Sequence, residues 1–375
     1  MTANPSIVRI DIFKMNIPLH EPFVISLETI THAENLLVCI TSESGHRGYG
    51  ECSPYRRIAG ETQDSGYSVA PLLARAILGR DALQVSGSVR AMDRAIAGNR
   101  CIKSAFDLAL YDLAARCLDM PLYRYLGGQN DKMLRTDMTV SMLSPDAMAA
   151  AALRFREAGF DAIKLKLGGG LPIDPARVKA VRQAVGPDIA LRVDANQAWD
   201  PATAVQVLRQ IAPFDVQYCE QPIAASLWTQ LPEVRRQSPI PIMADEALFD
   251  HFDALRLAQL GACDLFNIKL SKAGGIANAV KIAHIAEAAG LVCQVGCFSE
   301  SRIGMSALAH FALATDQVQY YDLDAPLMLS FDPSIVGIQY HPGGWVSVPD
   351  DAPGIGAVPD EGFLSALEHL SLEGA

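Results

Sequence analysis

After residue 130 the chain alternates short apolar runs with longer amphipathic or alanine-rich stretches. The runs LRTDMTV (134–140), AIKLKL (162–167), IALRV (189–193), VQYC (216–219), IPIMA (240–244), DLFNIK (264–269), LVCQV (291–295) and VQYYD (318–322) predict buried strands. Between them, PDAMAAAALRFREAGF and GIANAVKIAHIAEAAG predict helices, the second closed by Gly290. The strands start roughly 25 residues apart, and eight strand–helix units in ~200 residues match a (β/α)8 barrel. The rival architecture, a doubly wound open sheet, calls for a phosphate loop after its first strand, and GxGxxG is absent.

Ahead of this region the pattern differs. Residues 1–60 read as short strands with turns, IVRIDIFKMNI and then NLLVCITSESGHRGYGEC, the latter alternating and broken by Ser-Gly as in a hairpin. Residues 68–126 turn helical. Ile102, Phe106, Ala109, Leu110, Leu113 and Cys117 recur at helical spacing until Pro121 and the pair Gly127-Gly128 intervene. Strands followed by helices predict an α+β domain over 1–126, ahead of a barrel over 127–325. The tail, 326–375, is rich in turns (HPGGW, DDAPGIG), ends in an expected short helix LSALEHL, and is expected to pack back on the first domain.

Composition narrows the function. Half of the 375 residues are hydrophobic and 19% are charged, so a large core can form and disorder is excluded. A net charge of −11, with no basic run interleaved with aromatics, argues against nucleic acid and anionic membrane as partners. MTANPSIVRI lacks the charged and apolar regions of a secretory signal, and no apolar run approaches the ~18–20 residues of a membrane helix. Eight scattered cysteines form no CxxC pair, the nearest being Cys293 and Cys297. They read as reduced thiols of a cytoplasmic protein.

The candidate chemistry lies at the strand ends, where barrels of this kind place their active sites. Strand two ends in Lys164 and Lys166, strand three in Asp194 and Asn196, strand four in Glu220, and strand five in Asp245 and Glu246. Strand six ends in Lys269, strand seven leads to Glu300, and strand eight leads to Asp322 and Asp324. Each alone is an ordinary cap, turn or edge residue. Repeated at seven successive strand ends and walled in by helices, they must converge on one mouth. Asp194, Glu220 and Asp245 are hard ligands from adjacent strands and suit Mg²⁺ or Mn²⁺ rather than Zn²⁺. Lys166 and Lys269 come from strands on either side of them, on opposite faces of anything held on the metal. That arrangement suggests removal of a proton from one face and its return to the other. Lys164 and Lys166 share a face of their strand, so Lys164 is expected to lower the pKa of Lys166 and to bond a substrate carboxylate.

The KxK, DAN, EQP, ADE and NIKLSKAGG segments resemble, in order and spacing, the motifs of the enolase superfamily, in its muconate-lactonizing branch. The resemblance covers the chain end to end. It implies an α/β fold, a TIM-like (β/α)7β barrel with an α+β capping domain built from the N-terminal region and the C-terminal tail. It further implies one Mg²⁺ per subunit on Asp194, Glu220 and Asp245, an acid/base pair in Lys166 and Lys269, and a homo-oligomer. YDLDAPLML is similar to the DxD segment of dipeptide epimerases related to L-Ala-D/L-Glu epimerase, which implies that Asp322 and Asp324 hold a dipeptide's α-ammonium. The reaction implied is a two-base 1,1-proton transfer through a metal-stabilised enediolate.

One position departs from that subgroup. Glu28, in EPFVISLETITHAEN, falls where the Ala-Glu epimerases resemble one another in having an arginine. Either it repels a Glu side chain, so that the second residue is hydrophobic or cationic, or it points to solvent. Tyr55, Arg56 and Arg57 in the next loop leave room for an anionic group, and Thr139 and the segment Cys297 to Ser301, with Ser299, are expected on the substrate wall. Muconate cycloisomerase, o-succinylbenzoate synthase and N-acylamino acid racemase activities share the metal and lysines but need no aspartates at 322 and 324. A non-catalytic metal- or sugar-binding barrel would be expected to have lost a lysine or a ligand.

Overall fold

Ser144-Pro145 and Asp200-Pro201 each open a helix in the same way. The first side chain accepts a backbone N–H of the opening turn, and proline takes the next position, where no donor is needed. Asp250 and Asp253 form a reciprocal capping box at a third helix, closed by Gly261 in the left-handed conformation. Such caps punctuate a repeating strand–helix chain, and a computed structural model describes it for residues 5–374.

The eight barrel strands are Met138–Val140, Ala162–Lys166, Ala190–Asp194, Val216–Glu220, Ile242–Ala244, Leu265–Ile268, Val292–Val295 and Val318–Tyr321. They pair in parallel and in sequence order. The ends approach closure where the Asp137 N–H donates to Tyr321 O at 3.2 Å and the Leu323 N–H to Thr136 Oγ1 at 2.9 Å. Ile163 and Leu165 turn outward into the core beneath the helices, so the alternating Lys164 and Lys166 turn inward. The fold is the α/β TIM-like barrel with an α+β cap that the resemblance implies.

Two sequence expectations need correction. LRTDMTV is not one strand: Leu134–Arg135 pairs with Trp345–Ser347 in a separate three-stranded sheet, and only Met138–Val140 joins the barrel. The break falls at Thr136, whose N–H donates to Gly344 O, and Asp137, whose carboxylate turns in to Arg192 at 2.8 Å. LSALEHL is not one helix either. The helix is Glu361–Ser365, and His369–Glu373 forms an antiparallel edge strand along the chain's first strand, Ile7–Val24.

That first strand, with Thr29–Ser42 and Arg47–Cys52, makes the cap sheet, which packs on the helix Arg100–Cys117. Gly48 and Gly50 permit the contact. A β-carbon at either would meet Ala109 O at 2.2 Å or Ala105 O at 2.0 Å. Buried carboxylates then tie this layer to the barrel. Glu51 accepts from Ser301 Oγ and the Gly304 N–H at the start of one barrel helix, and Asp107 accepts from the Ile276 N–H at the start of another.

Candidate active site

Strand register sets the charged residues at one level. Lys166 is opposite Asp194, and Asp194 opposite Glu220, with Asp245 and Lys269 following the next two strands. The three acids therefore form an arc with one lysine at each end. Lys166 Nζ lies 2.6 Å from Asp194 Oδ2, and Lys269 Nζ 2.8 Å from Asp245 Oδ2. Each ammonium also faces an aromatic ring: Phe23 from the cap at 5.8 Å for Lys166, and Phe298 at 4.7 Å for Lys269.

Burial disfavours the charged forms of Lys164 and Lys269, but the carboxylates beside them prevail and hold both above the ordinary lysine value. For Lys164 these are Asp322 and Glu220; for Lys269 they are Asp245 and Glu220. Lys164 forms an ion pair with Asp322 and stays 4.0 Å from Glu220.

Beside the arc lies a second charged group. Asp322 carries Lys164, Asp324 accepts the Thr139 N–H at 2.8 Å, and Cys297 Sγ is 4.0 and 3.8 Å from the two aspartates. Burial and neighbouring Asp322 push the Asp324 carboxyl up to about 7. A cavity of about 30 Å³ opens here between Lys166, Lys164, Thr139 and the aspartates, covered by Leu19, Phe23 and Met328. Ser299 borders it and also a larger outer cavity of about 230 Å³ under the cap loops. Glu28 lies in that outer cavity, mostly shielded and paired with Arg56 at 2.6 Å, with Tyr55 and Thr29 beside it. Thr139 and Ser299 thus line the inner cavity, whereas Glu28 does not.

The donor set fits a hard dication. Glu220 is pushed up to about 8 by burial and then by Asp194, and Glu246 to about 8 by burial and Asp245. Glu220 Oε2 and Glu246 Oε2 are buried without a hydrogen-bond donor. Around the arc stand the buried carboxyls of Asp194, Glu220, Asp245 and Glu246 with Lys166, Lys269 and Lys272. Around the second group stand Asp322 and Asp324 with Lys164. A dication on the first half and an ammonium on the second would supply the positive charge that favours the ionised form of these crowded carboxyls.

Sequence reasoning missed several residues that shape the arc. Lys272, buried in the NIKLSKAGG segment, donates to both Asp245 O and Asp245 Oδ1 at 2.5 Å. Gln221 takes left-handed φ (34°) and accepts the N–H groups of Asp245 and Ala247 at 3.0 and 3.1 Å. Asp174 holds the glycine loop after Lys166 by accepting the N–H groups of Gly168, Gly169 and Gly170. A second lysine and a glutamine inside recognised segments were the available signals. Nothing local marks Asp174.

The fold and the charged mouth define the class, a capped barrel whose strand ends carry an acid arc between two lysines. The chain belongs to the enolase superfamily: residues 7–127 match the mandelate racemase / muconate lactonizing enzyme N-terminal domain, and 147–363 the enolase C-terminal domain-like family. Among its relatives, the D-Ala-D/L-Ala epimerase of Cytophaga hutchinsonii is 46% identical over 98% of this chain and 99% of that protein. The L-Ala-D/L-Glu epimerase of Bacillus subtilis is 39% identical over 94% and 96%. A crystal structure of the C. hutchinsonii dipeptide epimerase, complexed with Mg and the dipeptide D-Ala-L-Val, superposes with a TM-score of 0.96 over 98% of this chain and 99% of that one.

Proposed function

We propose that this protein is a Mg²⁺-dependent dipeptide epimerase, an isomerase that inverts the α-carbon of the C-terminal residue in L-Ala-X-type substrates. The observation that carries the reading is the split of the mouth into two halves, an arc of buried carboxyls between Lys166 and Lys269 and a separate buried pair, Asp322 and Asp324. A zwitterionic dipeptide matches it, with its carboxylate toward the arc and its ammonium toward Asp322 and Asp324. Muconate or an N-acylated amino acid has no ammonium to offer the second half.

Asp194, Glu220 and Asp245 would hold one Mg²⁺ (or Mn²⁺), and the bound ion supplies Lewis-acid stabilisation of negative charge on the substrate carboxylate. The protein's own groups do the rest. Lys164 steadies Asp322, and the backbone N–H of Thr139 steadies Asp324, so both aspartates are set before an ammonium arrives. Lys166 and Lys269, at opposite ends of the arc, exchange a proton with the two faces of the α-carbon: one takes it, the other returns it. Phe23, Phe298 and Leu19 narrow the access of water to that carbon.

For the second residue, the outer cavity beyond Ser299 gives room. Glu28 disfavours an acidic X there, and its pairing with Arg56 makes a hydrophobic X as acceptable as a cationic one. We also read the protein as a cytoplasmic homo-oligomer without nucleic-acid or membrane partners. The unpaired state of all eight cysteines supports the compartment. No helix of the described residues is long and apolar enough to cross a membrane.

The test is incubation of Ala-X dipeptides in D₂O with Mg²⁺, read by mass and chirality of the product. Deuterium at the C-terminal α-carbon with inversion supports the reading. Turnover of N-acylamino acids or muconate in preference to free dipeptides rejects it.

A further inference from the structure

The tightest gathering of metal-binding side chains is not the acid arc. Among the described residues, Cys297, Asp322 and Asp324 bring a sulfur and two carboxylate oxygens to within 4.8 Å of one another. All three side chains are buried, with 8%, 2% and 2% of their surface exposed. The remaining oxygens of both aspartates are already engaged, by Lys164 and by the Thr139 N–H. The oxygens that face the sulfur have only its thiol hydrogen between them, shared over 4.0 and 3.8 Å. Two buried carboxylate oxygens therefore point into this spot with at most one weak donor for the pair. The adjoining cavity, about 30 Å³, has room for an ion.

We propose that Cys297, Asp322 and Asp324 form a second metal site, which takes a soft dication of the Zn²⁺ or Cd²⁺ type and not Mg²⁺. Sulfur with two carboxylates selects such ions, whereas Mg²⁺ prefers an all-oxygen octahedron. Coordination replaces the thiol hydrogen, which leaves to solvent as a proton. The charges then close: a thiolate and two carboxylates carry −3, Lys164 contributes +1 and the ion +2. The Mg²⁺ arc, with its three carboxylates and no sulfur, lies on the other side of Lys164, which pairs with Asp322 and stays 4.0 Å from Glu220. If the aspartates also hold the substrate ammonium, an assignment that rests on the proposed function, the soft ion and the dipeptide exclude each other.

Cd²⁺ is the probe, titrated into the full-length protein at saturating Mg²⁺ and followed by the ultraviolet thiolate-to-Cd²⁺ charge-transfer band. The expected result is one strong equivalent whose band disappears in Cys297→Ser, with affinity reduced at least about tenfold in Asp324→Asn. A band that survives Cys297→Ser, or an equivalent that excess Mg²⁺ displaces, overturns the site. Circular dichroism of each variant separates loss of the ligand from loss of the fold. Competition by an Ala-X dipeptide, but not by its N-acetyl analogue, is expected in addition. Cd²⁺ bound as described and indifferent to dipeptide keeps the metal site and rejects the ammonium pocket instead.

Discussion

At the scale of single residues, the two lysines that flank the arc differ in what each can do alone. Lys166→Ala and Lys269→Ala are each expected to cut epimerisation by about 10²–10⁴-fold, the usual worth of a positioned acid or base. Each variant keeps the lysine on one face, so it still exchanges that face's α-proton with D₂O for one epimer of the substrate and not the other. Mg²⁺ affinity, measured by calorimetry, should change far less than turnover. Equal, non-stereospecific loss of exchange in both variants would remove the two-base assignment. Asp324→Asn tests the other half of the mouth. KM for free dipeptides should rise at least about tenfold, because the ammonium loses its counter-charge while the backbone N–H of Thr139 keeps its acceptor. KM for N-blocked analogues should hardly move.

At the scale of elements, the alternation of apolar runs located all eight barrel strands, because a parallel strand buried on both faces must be a short apolar run between turns. It failed where the boundary depends on distant partners. Thr136 and Asp137 look like the middle of a strand, and only Gly344, Tyr321 and Arg192, far along the chain, show why the strand divides there. LSALEHL has helical spacing, yet its end is drawn into pairing with the first strand. The site follows the same division. Asp194, Glu220, Asp245, Lys166 and Lys269 could be placed by strand-end logic, but Lys272 and Gln221 act through side-chain contacts that spacing does not encode. Asp174 shows what such a hidden contact is worth. Its carboxylate gathers three glycine N–H groups, Trp199 Nε1 at 3.0 Å and Arg177 at 2.8 Å, and so shapes the turn that follows the Lys166 strand. Asp174→Ala should destabilise the fold by about 3 kcal/mol in denaturant melts, through donors left buried and unpaired. The Asn variant, which keeps one acceptor, should recover part of it.

At the scale of the whole molecule, buried titratable groups away from the mouth set the response to pH. His310 accepts the Tyr123 N–H at 3.1 Å, and burial lowers its pKa from 6.5 to about 4. The unfolded chain therefore takes up this proton first. Stability present above pH 6.5 is lost as pH falls toward 4, by about 3 kcal/mol, and His310→Gln should remove that loss. Asp107 works in the opposite sense. Burial raises its carboxyl to about 8, and one of its oxygens has no donor. The folded state keeps a proton that the unfolded chain releases near pH 3.8, so this contribution is present in acid and lost as pH rises through 8. Relative to the parent, Asp107→Asn should gain stability between pH 6 and 8.5; a difference independent of pH would show that Asp107 is already ionised in the folded protein.

The strand His369–Glu373 carries one more consequence. Ser371 bonds Asp11 across 360 residues of chain, so this rim of the cap sheet is completed only after the whole barrel between them has been made. Until then, Ile7–Val24 presents an open row of main-chain donors and acceptors, the kind of surface that recruits strands from other molecules. Synthesis of this enzyme should therefore be more sensitive to translation speed and chaperone supply than its finished stability suggests. Shortening its tail should lower soluble yield before it lowers turnover.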